Sequence, residues 1–239
     1  LVVGGTGPIG GHAAIYLKSL GHDVTIAARN PAQAGTEMAT MPFLKGSYVD
    51  GDFTREQLAQ FDALVFAAGN DVRHIPQGAD EVEYWDRVNI QGIPNFLKQA
   101  RDAGVTSIFV GNNSVPTPEF EKIAGVAAIK DSIHLNEPMP QFLAYPESKE
   151  FLDAYKAKYN ELPGSIWAVY AADALNALAA AITKAGSTDP DQVTSAMRSM
   201  TDAKGITGPL LFTDRGDRKD IPYYAYVYND QGVLELYSK

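Results

Sequence analysis

The sequence predicts an α/β protein: a doubly wound parallel sheet with an added helical layer and C-terminal antiparallel strands. Three observations predict it. Apolar runs alternate with segments of helical period from residue 1 to about 112, a glycine-rich turn separates the first run from the first helix, and the last segments are short, alternating and punctuated by "DRGD" and "NDQG".

The first unit is "LVVGGTGPIGGHAAIYLKSLGHDVTIAARNP". Leu1 to Val3 is a short apolar run, Ala13, Ala14, Leu17 and Leu20 recur at helical spacing, and Val24, Ile26 and Ala28 alternate with Asp23, Thr25 and Ala27. That order is strand, turn, helix, strand. A third strand is expected in "LKGSYVDGDF", a short helix in "TREQLAQF" and a fourth strand in "DALVFAAGN". A polar loop with "RHIPQGADE" leads into a long helix, "VEYWDRVNIQGIPNFLKQARDAG", and a fifth strand, "TSIFVGN". Short connections in such an alternation imply parallel pairing, with a ligand beyond the carboxyl ends of the strands.

Beyond residue 112 helical stripes dominate. Phe151, Leu152, Tyr155 and Tyr159 form one; Ile166, Val169, Tyr170, Ala174, Leu175, Leu178 and Ile182 form another, and both are expected to face a core. Gly186 is expected to close the second helix, and Asp189 to cap a third that begins at Pro190. Arg215-Gly216-Asp217 reads as a hairpin turn.

Composition narrows the partners. With 239 residues and 45% apolar content the chain can bury a real core, as one large domain or two lobes. A formal charge of -9 with no basic run argues against nucleic acid and anionic lipid and leaves small molecules. The absence of cysteine excludes disulfides, thiolate catalysis and Cys-type zinc sites. His12, His22, His74 and His134 lack ligand spacing, so no metal is expected. No uninterrupted apolar run approaches a bilayer span and no leader precedes Leu1, so a soluble chain, cytoplasmic when expressed, is expected.

The turn Gly4-Gly5-Thr6-Gly7-Pro8-Ile9-Gly10 carries chemistry. Gly5, Gly7 and Gly10 fit G-x-G-x-x-G, and Gly4, Gly7 and Gly10 fit the wider G-x-x-G-x-x-G. Glycines at these positions permit a tight turn, close approach of backbone amides to a pyrophosphate, and close packing of helix on strand. Where an NAD site usually carries an acidic residue at the end of the second strand, Ala28 and Arg29 stand here. An arginine suits a 2′-phosphate, so NADP is expected in preference to NAD.

"GGTGPIG", "GDF", "AAG" and "NIQGIPNFLKQARDAGV" together resemble the extended or atypical short-chain dehydrogenase/reductase family, its epimerase-like branch, over residues 1–108. The resemblance implies a Rossmann-like half. It places Gly4, Gly7 and Gly10 on the pyrophosphate, Asp52 and Phe53 beside the adenine, Ala67, Ala68 and Gly69 beside the ribose, and Asn89 behind the active site. It also raises a catalytic alternative in Ser114 with "YPESK", Tyr145 and Lys149 at i and i+4, where the ammonium lowers the tyrosine's pKa for proton transfer. Pro146 sets Tyr145 just outside the helix, which argues against that role.

A second resemblance takes over. "PEFEKIAG", "KEFLDAYKAKYNELPG", "YAADALNALAAAI", "KAGSTDPDQV" and "GITGPLLFTDRGDR" follow in order as in the C-terminal part of a branched-chain amino-acid-type periplasmic binding protein, over residues 108–239. It implies a solute-binding module. Where that family often has an acidic residue for the ligand ammonium after the glycine of this strand, Asn112 and Asn113 follow Gly111.

The two resemblances meet within "KQARDAGVTSIFVGNNS", a helix-to-strand unit both families possess, and no Gly/Ser/Pro-rich linker intervenes. They imply an engineered chimera, because natural fusions normally join complete domains through a linker. Two segments are expected, 1–110 and 111–239, capable of packing as one continuous α/β unit. Neither parent function survives whole: catalysis is not expected, and NADP or NAD binding at the glycine turn is what the first half retains.

Overall fold

A computed structural model describes residues 1–69, 75–113, 115–221 and 223–237. His74 and Ser114 lie outside the described residues. The chain divides into two compact units, one of residues 1–135 and 225–239 and the other of residues 136–224.

In the first unit the chain runs β1 (Val2–Val3), α1 (Pro8–Ser19), β2 (Ile26–Ala28), a 3-10 turn (Glu37–Thr40), β3 (Phe43–Lys45), α2 (Arg55–Leu58) and β4 (Ala63–Phe66). It continues through α3 (Glu81–Trp85), a π-helical stretch (Asp86–Gln91), α4 (Gly92–Asp102), β5 (Ile108–Gly111), α5 (Pro118–Ala124), α6 (Val126–Ile129) and β6 (Ile133–Asn136). After the second unit it returns with β9 (Tyr224–Tyr228) and β10 (Leu234–Leu236).

Among the described residues the sheet has eight strands in the order β10-β9-β6-β5-β4-β1-β2-β3. The pairs from β3 across to β6 are parallel, with Val2 opposite both Ile26 and Val65, whereas β9 and β10 pair antiparallel. The order reverses beside β1, the switch point at which doubly wound sheets open a crevice.

Alternation along the strands explains the layering. Leu1, Val3, Ala27, Leu64 and Phe66 enter a core shared with Ile93, Phe96 and Leu97 of α4 and Phe120 of α5. Val2, Ile26 and Val65 face Ala14 of α1 and Met38 on the other side. The sheet is thus covered on both faces, as its parallel strands require.

The single long helix expected over residues 82–104 forms as a continuous helical run from Glu81 to Asp102, with a π-helical stretch between α3 and α4. Pro94 is the physical reason: it has no N–H to donate and its ring crowds the carbonyl four residues back, so the preceding turn widens. The α4–β5 connection, where the two family resemblances meet, is tied by the Arg101 guanidinium. It donates to the carbonyls of Val105 (2.7 Å) and Ser107 (2.8 Å), while the Ser107 hydroxyl donates to Phe61 O.

One core group is unusual. His134 on β6 is fully buried between Phe109, Phe120 and Tyr228. The Ser132 hydroxyl gives its proton to Ile129 O, so it accepts from His134 Nε2–H at 2.9 Å, leaving Nδ1 bare and without a partner among the described residues. Burial lowers the pKa from the usual 6.5 to about 3. A folded value below the unfolded one means that neutral His134 favours the fold above about pH 6.5, and that stability is lost as pH falls toward 3. The full effect is roughly 3–5 kcal/mol, at about 1.4 kcal/mol per unit. Urea unfolding at a series of pH values should show this slope for the unsubstituted chain and a flatter one for His134→Leu; equal slopes would remove His134 as the cause.

In the second unit a 3-10 turn (Pro140–Phe142) precedes α7 (Pro146–Tyr159), α8 (Ile166–Ala185), α9 (Pro190–Arg198) and the two-stranded β7 (Lys204–Gly205) and β8 (Gly208–Pro209). The expected caps form: Gly186 closes α8 in the left-handed region, and the Asp189 carboxylate accepts Gln192 N–H at 3.1 Å. The α8 stripe is corrected. Ile166, Val169, Asp173, Ala177 and Ala181 are its buried face, whereas Leu175 and Leu178 are 67% and 43% exposed. A helix with alanine on every side gives the sequence little power to say which side is covered. The expectation that nothing approaches a bilayer span is also corrected: α8 is long and apolar enough by length and composition, with mean hydropathy 1.4 over 18 residues. Asp173 and Asn176 interrupt the apolar run without lowering that average much.

The division differs from the two segments expected at residues 110 and 111. That boundary falls within β5 in the first unit, and the chain instead leaves that unit at the end of β6 and rejoins it at the start of β9.

Candidate functional site

The glycine turn links β1 to α1 at the switch point of the sheet. Gly4 has φ +84°, and a Cβ there would lie 2.7 Å from the Ala68 backbone. A Cβ on Gly5 would meet the Ile26 side chain at 2.6 Å, and one on Gly10 would lie 2.2 Å from Gly4 O. Gly7 is the N-cap of α1 and has no side chain to bond the helix end, and a Cβ there would approach Gly4 O at 3.3 Å. Three of these glycines therefore let helix, strand and neighbouring strand close up, and the fourth leaves the positive end of α1 open. Thr6 is half-buried, and Pro8 and Ile9 are exposed at the start of α1.

Ala67, Ala68 and Gly69 follow β4 and are brought against the turn: Ala67 N–H donates to Val3 O at 2.9 Å, and Ala68 abuts Gly4. Asn89 lies near Gly69, its Oδ1 3.4 Å from where a Gly69 Cβ would be. Arg29 is exposed just past β2, and Gly46 N–H donates to Ala28 O, bringing the loop after β3 beside it. In that loop the Asp50 carboxyl is held below its usual range first by the Ser47 hydroxyl, then by Arg87 at 2.7 Å, with Arg29 a smaller influence.

The Asp52 carboxylate accepts Ser47 N–H at 2.9 Å, which closes the loop. Phe53 turns inward, 5% exposed, with its ring edge against Phe96 and filling the space a Gly46 Cβ would need. Its ring therefore serves the core. The structure thus brings together Gly4 to Gly10 and Ala67 to Ala68, while Arg29 follows β2 and Asp52 lies in the loop after β3.

Tyr145 and Lys149 belong to the second unit. Tyr145 precedes α7 with extended backbone angles, and its ring occupies the space beside Gly208. Lys149 pairs with Asp153 one turn on. Their side chains are thus engaged separately, and the catalytic alternative's Ser114 lies outside the described residues. Asn112 and Asn113 follow β5, half-buried. Among the described residues no group of three or more His, Asp or Glu is placed to hold a metal.

A buried polar cluster in the second unit was not singled out from the sequence. Asp173 accepts Ile206 N–H at 2.6 Å, Thr207 N–H at 3.0 Å and the Thr207 hydroxyl, with Arg218 Nη1 3.8 Å away. The Arg218 guanidinium also donates to Thr207 Oγ1 and to the carbonyls of Thr207 and Pro209. Nearby, Tyr223 donates to the Glu137 carboxylate at 3.2 Å, and the Tyr170 hydroxyl, buried without a partner among the described residues, has its pKa pushed up to about 12 by burial and then by Glu137. The one sequence signal was an aspartate in the middle of the otherwise apolar "YAADALNALAAAI".

Comparison with known proteins finds both halves. Residues 4–122 match an NAD(P)H-binding family, and residues 86–232, more than half of the chain, match a family described as periplasmic binding protein. A leucine-, isoleucine-, valine-, threonine- and alanine-binding protein of Pseudomonas aeruginosa is 35% identical over 135 residues, 56% of this chain and 35% of that protein. A Leu/Ile/Val-binding protein homolog of Brucella suis is 26% identical over 70% of this chain and 43% of its own length. The chain therefore spans well under half of either relative.

Among solved structures, a leucine binding protein from Thermotoga maritima aligns with 95% of this chain and 63% of its own, with a TM-score of 0.64 at 18% identity. A branched-chain amino acid transporter substrate binding protein from Streptococcus pneumoniae, solved with isoleucine, aligns with 94% of this chain and 63% of its own, at TM-score 0.60 and 19% identity. These likenesses establish the fold. Because that family model matches residues 86–232, the chain belongs to the periplasmic binding protein family.

Proposed function

We propose that this chain is a chimera, joined by engineering within the α4–β5 unit, whose first half binds NADP in preference to NAD without catalysing a reaction. The observation that carries the reading is the glycine turn. Its Cβ positions at Gly4, Gly5 and Gly10 have no room, and it opens the uncapped N-terminus of α1 beside Ala67 to Gly69. Gly4, Gly7 and Gly10 would hold the pyrophosphate, Ala67 to Gly69 the ribose, Asp52 and the Phe53 backbone the adenine, and Arg29 the 2′-phosphate. The separate engagements of Tyr145 and Lys149 support a non-catalytic reading.

Calorimetric titration of monodisperse protein with NADPH and NADH tests it. Saturable binding is expected, tighter for NADPH, with the preference falling about tenfold in Arg29→Ala, the size of one charge-assisted contact. A folded sample giving no heat with either nucleotide would rule the reading out.

A second reading, binding of a branched-chain amino acid, is favoured by the family match and by what the named relatives bind. Asn112 and Asn113 weigh against it. A rise in melting temperature with leucine, isoleucine or valine, absent with glycine, would favour it.

A further inference from the structure

The exposed side of α8 carries an unbroken apolar stripe. Trp167 is 58% exposed, Leu175 67% and Leu178 43%, Ala171 and Ala174 are exposed, and Ile182 is half-buried. At 100° per residue these six fall within an arc of about 100° and run nearly the whole length of the helix. The charged groups of α8 are Asp173, on the buried face, and Lys184, in the last turn beyond the stripe. No charge interrupts it.

We propose that this stripe is a self-association surface, on which α8 of a second copy of the chain lies antiparallel. The order of side chains is self-complementary about the midpoint between Ala174 and Leu175. With the helices reversed in that register, Trp167 stands level with Ile182 of the second copy, Ala171 with Leu178 and Ala174 with Leu175. Each small residue meets a large one, so the central turns can approach closely and interdigitate. The reversed direction opposes the helix dipoles and repeats each contact through a two-fold axis. Lys184 then lies level with uncharged Ser165, so the ends carry no like-charge clash.

The area fits this occupant. The six side chains expose roughly 450 Å² per copy, or about 900 Å² for the pair, below a stable interface and in the range of weak, transient contacts. A reversible dimer with a dissociation constant in the micromolar range is the consequence. Asp173 fixes which side of α8 faces out: its carboxylate is bonded to Ile206 and Thr207, so the stripe cannot rotate inward without breaking those bonds.

Sedimentation equilibrium between roughly 1 and 500 µM, the range such a contact implies, tests the proposal. The expected result is a concentration-dependent dimer that becomes monomeric in the double variant Leu175→Lys, Leu178→Lys, with the melting temperature of dilute protein unchanged. Because the chain has no cysteine, introduced thiols report on this contact alone. A mixture of Ala174→Cys and Leu175→Cys chains should oxidise to mixed dimers far faster than Asn176→Cys, whose side chain points away from the stripe. If the lysines unfold the chain, the cross-linking pattern decides. A monomer throughout the range, a dimer indifferent to both lysines, or α8-dependent binding to phosphatidylcholine vesicles by a monomeric chain would each overturn the proposal.

Discussion

Asp173→Ala is expected to destabilise the second unit by about 3–5 kcal/mol, the cost of breaking a buried charged network from one side. The carboxylate receives Ile206 N–H, Thr207 N–H and the Thr207 hydroxyl, and it sits 3% exposed in the middle of α8. Alanine would leave two buried backbone donors with no acceptor and the Arg218 charge without its counterion. It would also open a void where Asp173 Oδ1 fills the space a Gly205 Cβ would need. Since domains of this size are held by roughly 5–15 kcal/mol, the loss is a large fraction of the total. Urea unfolding followed by tryptophan fluorescence reads it directly, because Trp167 lies on the same helix. Asp173→Asn should fall between, since one amide oxygen can still accept while the NH2 group faces donors. A loss below about 1 kcal/mol for alanine would mean that water replaces the carboxylate and that the cluster is not closed.

The contrast between Asp173 and the glycine turn marks what the sequence could reveal. The turn is local: Gly4, Gly7 and Gly10 serve one strand and one helix within ten residues, so their spacing carries the geometry. The β/α period is local as well, and the parallel order from β3 to β6 with antiparallel strands at the far edge follows from it. Asp173 is bonded to residues 33 and 34 positions away, and its one local mark, an apolar surrounding, does not say which groups it meets. The same distance effect hid the unit boundaries, which lie where β6 ends and β9 begins rather than where the family resemblance changes. Phe53 shows a third limit. Its place in "GDF" fits a base-binding role, but the space left by Gly46 and the edge of Phe96 draw the ring into the core.

Two glycine substitutions are expected to separate scaffold from ligand site at the turn. In Gly10→Ala the new methyl would lie 2.2 Å from Gly4 O and 2.7 Å from Gly4 C. Neither atom can retreat, because Gly4 is itself at φ +84° and rests on the Ala68 backbone. Helix α1 must move off β1, at a cost of about 1–3 kcal/mol or more, and dinucleotide binding should fall with it. Gly7→Ala differs. Its φ of -83° suits any residue and its Cβ would approach only Gly4 O, at 3.3 Å, so the melting temperature should drop by no more than about 3 °C. The methyl would nevertheless stand at the mouth of the α1 N-terminus, where backbone must approach a phosphate, and NADPH affinity should fall at least about tenfold. Stability lost in Gly10→Ala with binding lost in both is the pattern of a working phosphate cradle. Binding retained in a stable Gly7→Ala would place any nucleotide elsewhere, because no pyrophosphate could then be resting on the Gly7 backbone.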